Sequence, residues 1–370
     1  MKNSILFNAL IYAPDGTGIS RYAGNLVKQF INCNANVDIL LRNEYKKYFK
    51  PQDNLIFIDD KINNSKDRII IEQWKLRNLY NDYKLIHFPD YAIPVLTKTN
   101  TIATIHDLAM ISMRKMRTLG QNVVKNILFN NTIYRSSAII FDSKFIQSEF
   151  MGYYPKFNKL NKVIHLGVDK NYNIIPDDNI LQRLRLEKRK YLLYVGTIAP
   201  HKNIKNLILA FSKLKSEGYN GKLVIAGAKG WLYDDVFDVI KSLKLENTVI
   251  FSGYVTDFEL ESLYRNAISL VNISLYEGFG LPPLEAMIRY LPVIVSDIPV
   301  FHEVVGECGC YCNPNDVNDI YLAMKKMVND SKFRNECIIR GREKVKVYSW
   351  EETAHETLKF YNKLLNSNLL

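Results

Sequence analysis

The sequence predicts an α/β fold of two domains, each an open parallel sheet with helices in its connections. Short β-branched apolar runs alternate with helical patterns along the whole chain, the pattern that builds parallel sheets. The 370 residues are long for one core and comfortable for two domains of about 150 to 200 residues each. Each half also opens with a strand, a Gly-containing turn and a helix, at residues 5–32 and 191–216. The expected first domain is 1–170 and the second 171–350, joined through 171–190, which holds Pro176-Asp177-Asp178 and a basic stretch.

Composition narrows the class. Hydrophobic content of 47% and charged content of 24% are those of a globular protein, and no apolar run approaches the roughly 20 residues a membrane span needs. The first residues are too few and too polar for a signal peptide and read as a strand, so the cytoplasm is the expected location. Cys308, Cys310 and Cys312 form C-x-C-x-C, tighter than zinc spacing and with only His302 nearby. They are expected as small buried residues in a turn, not as metal ligands. The net charge of +11 is uneven: residues 1–175 hold 24 Lys/Arg against 14 Asp/Glu, and 176–370 hold 25 against 24. An anionic partner for the first half and a merely solvated Lys-rich surface are both open.

In chain order, 5–11 reads as a buried strand, followed by Gly16-Thr17-Gly18 and a helix from about Ser20 to Asn32. This turn is neither a dinucleotide fingerprint, since the third glycine is missing, nor a P-loop, since no Gly-Lys-Ser/Thr follows. Strands are expected at 37–41, 55–58, 85–88 and 101–105, the last ending in His106-Asp107-Leu108. A histidine at the carboxyl end of a parallel strand sits where such sheets bind ligands; packing against its own loop is the alternative. Residues 113–131 interleave basic and apolar residues at roughly helical spacing, fitting an anionic membrane surface or a core-facing helix with a basic outer face. Further strands follow at 138–141, with Ser143 as a helix cap, and at 163–169.

The second half begins with a strand at 191–195 and then Gly196-Thr197-Ile198-Ala199-Pro200-His201-Lys202 before a helix at 204–216. A glycine turn with a lysine ahead of a helix is phosphate-binding equipment; a surface lysine is the plainer reading. Strands are expected at 222–227, 249–255 and 267–273, with a helix at 259–266. Then comes Glu277-Gly278-Phe279-Gly280-Leu281-Pro282-Pro283-Leu284-Glu285, leading into a helix expected at 284–290. Strand, Gly/Pro turn and helix put backbone N–H groups at one point, which suits an anion. Carboxylates flanking such a point hold sugar or ribose hydroxyls better than phosphate, because like charges repel. The chain continues with a strand at 293–297 and helices at 316–329, 331–346 and 351–365.

The segment from Glu277 to Glu285, with Gly196…Lys202, the first-loop glycines and His106-Asp107, resembles the E-x7-E pattern of the retaining, nucleotide-sugar-dependent glycosyltransferases of family 4. The resemblance covers nearly the whole chain. It implies the GT-B fold: two Rossmann-like domains facing each other across a cleft, with the helix of 351–370 crossing back to the first domain. It implies His106, Lys202 and Glu277 as catalytic residues, with His106 contacting the donor sugar. The implied donor set is Gly196, Thr197, Lys202, Tyr254, Val255, Glu277, Gly278, Phe279, Gly280, Leu281 and Glu285. Of these, Tyr254 and Val255 hold the base by backbone, Glu285 the ribose and Glu277 sugar hydroxyls. Gly16, Thr17 and Gly18 face the diphosphate and the acceptor.

Many members of the family have an arginine where this chain has Thr197 or His201, so more of the leaving-group stabilisation falls on Lys202. The implied reaction transfers a hexose from a nucleotide diphosphate sugar to a glycan or lipid-diphosphate-linked acceptor, in surface polysaccharide synthesis. No cofactor and no metal are expected, since no D-x-D follows a strand. The expected partners are the nucleotide sugar, that acceptor and an anionic membrane surface at the inner face of the cell membrane; nucleic acid is not expected. Alternatives are a GT-B epimerase or phosphorylase-like enzyme, a nucleotide-dependent oxidoreductase, and a non-enzymatic basic protein binding membrane or nucleic acid. The last leaves the Glu277/Glu285 pair and Lys202 without purpose.

Overall fold

The computed structural model describes residues 3–95, 97–112, 119–169, 174–227 and 234–366. The chain forms two compact units, one running to Gly167 and resuming at Tyr348, the other spanning Val168–Val347.

The first unit is built on seven strands: β1 Ile5–Asn8, β2 Asp38–Arg42, β3 Leu55–Ile58, β4 Leu85–Phe88, β5 Asn100–Ile105, β6 Ala138–Phe141 and β7 Leu160–Val163. They pair in the order β3-β2-β1-β4-β5-β6-β7, every pairing parallel. β1, β4 and β6 are buried along their whole length, hence their unbroken apolar runs. The edge strand β7 lies earlier than the apolar run at 163–169. At an edge only half-covered by other elements, the polar Leu160-Asn161-Lys162-Val163 suffices, and Lys162 Nζ bonds Glu356 Oε2 at 2.6 Å.

The helix Trp350–Asn366 belongs to this unit. Gly167 lets it enter: a Cβ there would lie 2.1 Å from the Trp350 nitrogen. Inside, the Tyr361 hydroxyl lies 2.5 Å from His87 Nδ1, and His87 Nε2 lies 2.8 Å from Thr104 Oγ1, itself 3.0 Å from the Tyr22 hydroxyl. All four side chains are fully or almost fully buried, so each polar atom needs these partners.

The second unit is built on β8 Tyr191–Val195, β9 Lys222–Ala226, β10 Val249–Gly253, β11 Ser269–Asn272, β12 Val293–Ser296 and β13 Cys310–Cys312, in the order β10-β9-β8-β11-β12-β13 and again parallel. The cysteine run is thus an edge strand, not a turn. Cys310 and Cys312 join Cys337 in the apolar core, and burial pushes the Cys310 and Cys337 thiols up to about 11. The helix expected at 284–290 is Leu281–Ile288, because Pro282 and Pro283 sit in its first turn, where no N–H is needed for the helical ladder. The helix expected at 259–266 starts at Asp257 behind a Thr256/Glu259 capping box. Of the basic stretch 113–131, residues 113–118 lie outside the described residues; the helix Leu119–Arg135 follows.

Candidate active site

In the second unit the strand order reverses between β8 and β11, and open parallel sheets bind ligands at the carboxyl ends of such neighbours. β8 leads into the Gly196–Lys202 turn and β11 into the Glu277 loop. The two loops are stapled together. The Leu275 nitrogen donates to the His201 carbonyl at 2.8 Å, and Asn203, buried with left-handed backbone, donates from Nδ2 to the Ile273 carbonyl at 3.2 Å and the Pro314 carbonyl at 2.7 Å. Lys202 is carried by a short 3-10 turn and lies between these anchors.

Its ammonium meets Glu277 Oε1 at 2.7 Å, and Ser274 Oγ donates to the same oxygen at 2.8 Å. Burial alone would raise the Glu277 carboxyl. The Lys202 charge, the hydrogen bonds from Lys202 and Ser274, and His201 outweigh it and hold the group below the usual carboxylate range. The result is an ionised carboxylate and an ammonium side by side, each with little solvent exposure.

Eight residues on, Glu285 is buried in the helix Leu281–Ile288, and Tyr264 donates its hydroxyl to Glu285 Oε2 at 2.9 Å. The Arg289 guanidinium lies over the Tyr264 ring, 4.7 Å from its centroid, and Arg289 Nε donates to the buried Glu261 at 2.6 Å. Gly278, Phe279 and Gly280 are buried between the two carboxylates, and Leu281 starts the helix. Gly280 is required twice: its φ is +90°, and a Cβ would meet the Phe301 ring at 2.5 Å. A Cβ at Gly227 would likewise stand 2.2 Å from the Gly196 carbonyl, so the Gly196 turn keeps its shape only beside a glycine. Thr197 is exposed beside it, and Tyr254 and Val255 follow β10 with the Tyr254 ring largely exposed.

The remaining predicted residues belong to the first unit, whose order reverses between β1 and β4. Thr17 and Gly18 are exposed after β1, and Gly18 begins the helix Ile19–Asn32, which carries no side-chain cap and no acid in its first turn. Tyr22 on that helix packs edge-on to His106, ring centroids 4.8 Å apart. His106 Nδ1 lies 2.6 Å from Asp142 Oδ2, and Nε2 lies 2.8 Å from the Pro89 carbonyl. Burial alone would lower this imidazole; the Asp142 carboxylate, its hydrogen bond, the Pro89 carbonyl and Asp107 more than offset it and raise the ring above its ordinary value. A ligand hydroxyl therefore reaches a His106 nitrogen only by taking the place of one of these acceptors. In Asp142→Asn, the His106 titration followed by histidine NMR should fall by about one unit or more; an unmoved midpoint would show that Asp142 does not hold the proton there.

Sequence reasoning missed Ser274, Tyr264, Asp142 and Asn203. Asp142 was within reach, since it directly follows the strand beside β5 and precedes the helix cap Ser143. Tyr264 had no local signal, being one aromatic in a helical pattern.

Residues 177–344 match the family described as Glycosyl transferases group 1. The chain is 29% identical over 301 residues to O-antigen chain mannosyltransferase B of Escherichia coli, covering 79% of this chain and 77% of that protein. It is 32% identical over 248 residues to the O-antigen chain mannosyltransferase RfbU of Salmonella typhimurium, covering 67% and 66%.

This chain is a group 1 glycosyltransferase.

The match to a longer relative, the serotype-specific mannosyltransferase WbdA of Escherichia coli, is 30% identical and takes 72% of this glycosyltransferase but 34% of WbdA. Among solved structures, sucrose-phosphate synthase from Thermosynechococcus elongatus superposes with a TM-score of 0.78, at 19% identity and 98% coverage of each chain. Anabaena HepE in complex with UDP and glucose gives 0.76 at 16% identity, covering 98% of this chain and 100% of that one. At such identities the likeness establishes the fold, which is GT-B.

Proposed function

We propose that this glycosyltransferase moves a mannosyl residue from a nucleoside-diphosphate donor to a hydroxyl of a glycan or lipid-diphosphate-linked acceptor, retaining anomeric configuration and using no metal ion. Its place is the assembly of a surface polysaccharide of the O-antigen kind, in the cytoplasm at the inner face of the membrane. The mannosyltransferase names of its relatives support the sugar and the setting. The observation that carries the chemistry is the Lys202–Glu277 pair at the reversal of the second sheet, with Glu285 eight residues on.

In this reading Glu285 holds the ribose, Glu277 the donor-sugar hydroxyls, and the amides of Gly278, Phe279 and Gly280 line the sugar and phosphate. Thr197 and the Gly196 turn border the diphosphate, and the backbone at Tyr254 and Val255 holds the base. Gly16, Thr17 and Gly18, with His106, serve the acceptor and the transferred sugar. As the bond from C1 to the phosphate oxygen breaks, Lys202 stabilises the charge developing on the diphosphate. The acceptor oxygen bonds to C1 on the face that the phosphate leaves, and its proton passes to the departing phosphate oxygen. No protein carboxylate needs to act as nucleophile, in contrast to the paired carboxylates of retaining hydrolases.

Calorimetric titration with UDP, GDP, ADP and dTDP, without added metal, tests the donor site. One nucleotide should bind, and Glu285→Ala should weaken it by about 10- to 100-fold through loss of hydrogen bonds to a buried charge. Failure of all four to bind, or binding only with a divalent cation, would overturn the reading.

A further inference from the structure

Two helices of the first unit converge on one short loop and leave apolar side chains in solvent around it. Gln73, in the helical stretch that runs through Ile71–Lys75, donates from Nε2 to the Ile93 carbonyl at 3.4 Å and accepts from the Val95 nitrogen at 2.8 Å. Asn131, in the helix Leu119–Arg135, donates to the same Ile93 carbonyl at 2.8 Å. Ile127, Asn131 and Tyr134 stand four and three residues apart and share one face of their helix. Ile70 and Trp74, four apart, share a face of theirs.

These groups are not core. Trp74 is 70% exposed, Tyr134 80%, Ile127 61%, Ile70 58% and Val95 38%. Together they present on the order of 500 Å² of apolar and aromatic surface, at the upper end of what a monomer carries without a partner.

The charge around them is mainly positive, although Lys75 is ion-paired with Asp60. The stretches 65–81, 93–99 and 126–135 hold exposed Lys66, Lys75, Arg77, Lys98 and Arg135. Their carboxylates are Glu72, which is fully buried, and Asp67, which accepts hydrogen bonds from Asn63 and Asn64. Trp and Tyr amid Ile and Val, flanked by Lys and Arg, match the boundary of an anionic bilayer, where rings sit at the headgroups and ammonium groups meet lipid phosphates.

We propose that Ile70, Trp74, Val95, Ile127 and Tyr134 form one lipid-facing patch that docks the first unit on an anionic membrane surface. This deepens the reading above by naming the surface through which a lipid-linked acceptor is met, and it rests on that reading only for its purpose. The five side chains dip below the headgroups while the five cations stay above them, so both apolar burial and charge contribute. Neither alone holds a protein stably at a bilayer.

Flotation of the full chain with phosphatidylcholine vesicles, with and without phosphatidylglycerol, tests it beside the triple variant Trp74→Ser, Ile127→Ser, Tyr134→Ser. Wild type should float with the anionic vesicles and much less with neutral ones. Its Trp74 emission, taken as the difference from Trp74→Phe, should shift to the blue. The triple variant, altered only at exposed positions, should lose at least about tenfold in vesicle affinity while binding nucleotide as before. Equal flotation of variant and wild type, or no flotation of wild type, would overturn the proposal. So would a wild-type dimer that the triple substitution dissolves, since a second copy would then cover the patch. Nucleotide calorimetry on the same samples separates the two readings: a failed donor site leaves flotation intact, and a failed patch leaves nucleotide binding intact.

Discussion

Lys202→Met should lower kcat for sugar transfer by about 100- to 1000-fold, the cost of removing one preorganised charge from a developing oxyanion. It should also destabilise the second unit, because Glu277 would remain buried with Ser274 but without its ammonium. Breaking a buried pair by removing one partner costs about 3 kcal/mol or more, several degrees in Tm for a unit of this size. Adding Glu277→Gln removes the stranded charge and should restore most of the Tm, because a neutral amide needs no counter-ion. Activity should not return, since neither the cation nor the hydroxyl-binding carboxylate is back. Circular-dichroism melting and initial-rate kinetics on the two single variants and the double variant check this. Recovery of both stability and turnover in the double variant would mean that the pair is only structural.

Below pH 6.5 the first unit should lose stability through His87. Burial, and then the charge of nearby His106, pushes its imidazole down to about 3 from the ordinary 6.5. The unfolded chain then binds a proton that the folded chain refuses. The contribution is fully present above 6.5 and is lost as pH falls toward 3, at about 1.4 kcal/mol per pH unit. At pH 5 the loss is about 2 kcal/mol. Two neighbours act in the opposite sense. Glu72, raised to about 7 chiefly by burial against the pull of Arg68, favours the folded state less as pH rises from 4.5 to 7. His106, also raised, adds stability that is lost as pH rises above 6.5. The His87 contribution is therefore read as a difference: urea unfolding of wild type and His87→Gln between pH 5 and 7.5. Glutamine keeps polar partners for Tyr361 and Thr104 but takes no proton. The gap between the two should shift by about 2 kcal/mol in favour of the variant on going from pH 7.5 to pH 5. Parallel curves would place the proton elsewhere.

Local pattern made the strands at 85–88, 138–141 and 191–195 legible to the residue, because strands buried in the middle of a parallel sheet must be apolar throughout. The half-buried edge strand at 55–58 was legible because it is apolar too. Two of the four edges, β7 and β13, were not legible. β7 is polar and β13 is built of cysteines, since an edge strand is held by one neighbour and needs no continuous apolar run. Helix starts were blurred where prolines or a capping residue lay inside the first turn, as at Leu281 and Asp257.

By itself the sequence determined the α/β class, the Gly turn that carries Lys202, and the Glu277 and Glu285 spacing, because each depends on neighbours within about ten residues of chain. Tertiary structure alone decided what those groups meet. Lys202 and Glu277 are 75 residues apart and become a pair only because β8 and β11 are adjacent at the point where the strand order reverses. His106 finds Asp142 across the β5–β6 pairing, and His87 finds Tyr361 across 274 residues through the returning helix. Desolvation acts on these groups through space, and no local pattern of residues records which distant side chain will exclude the water.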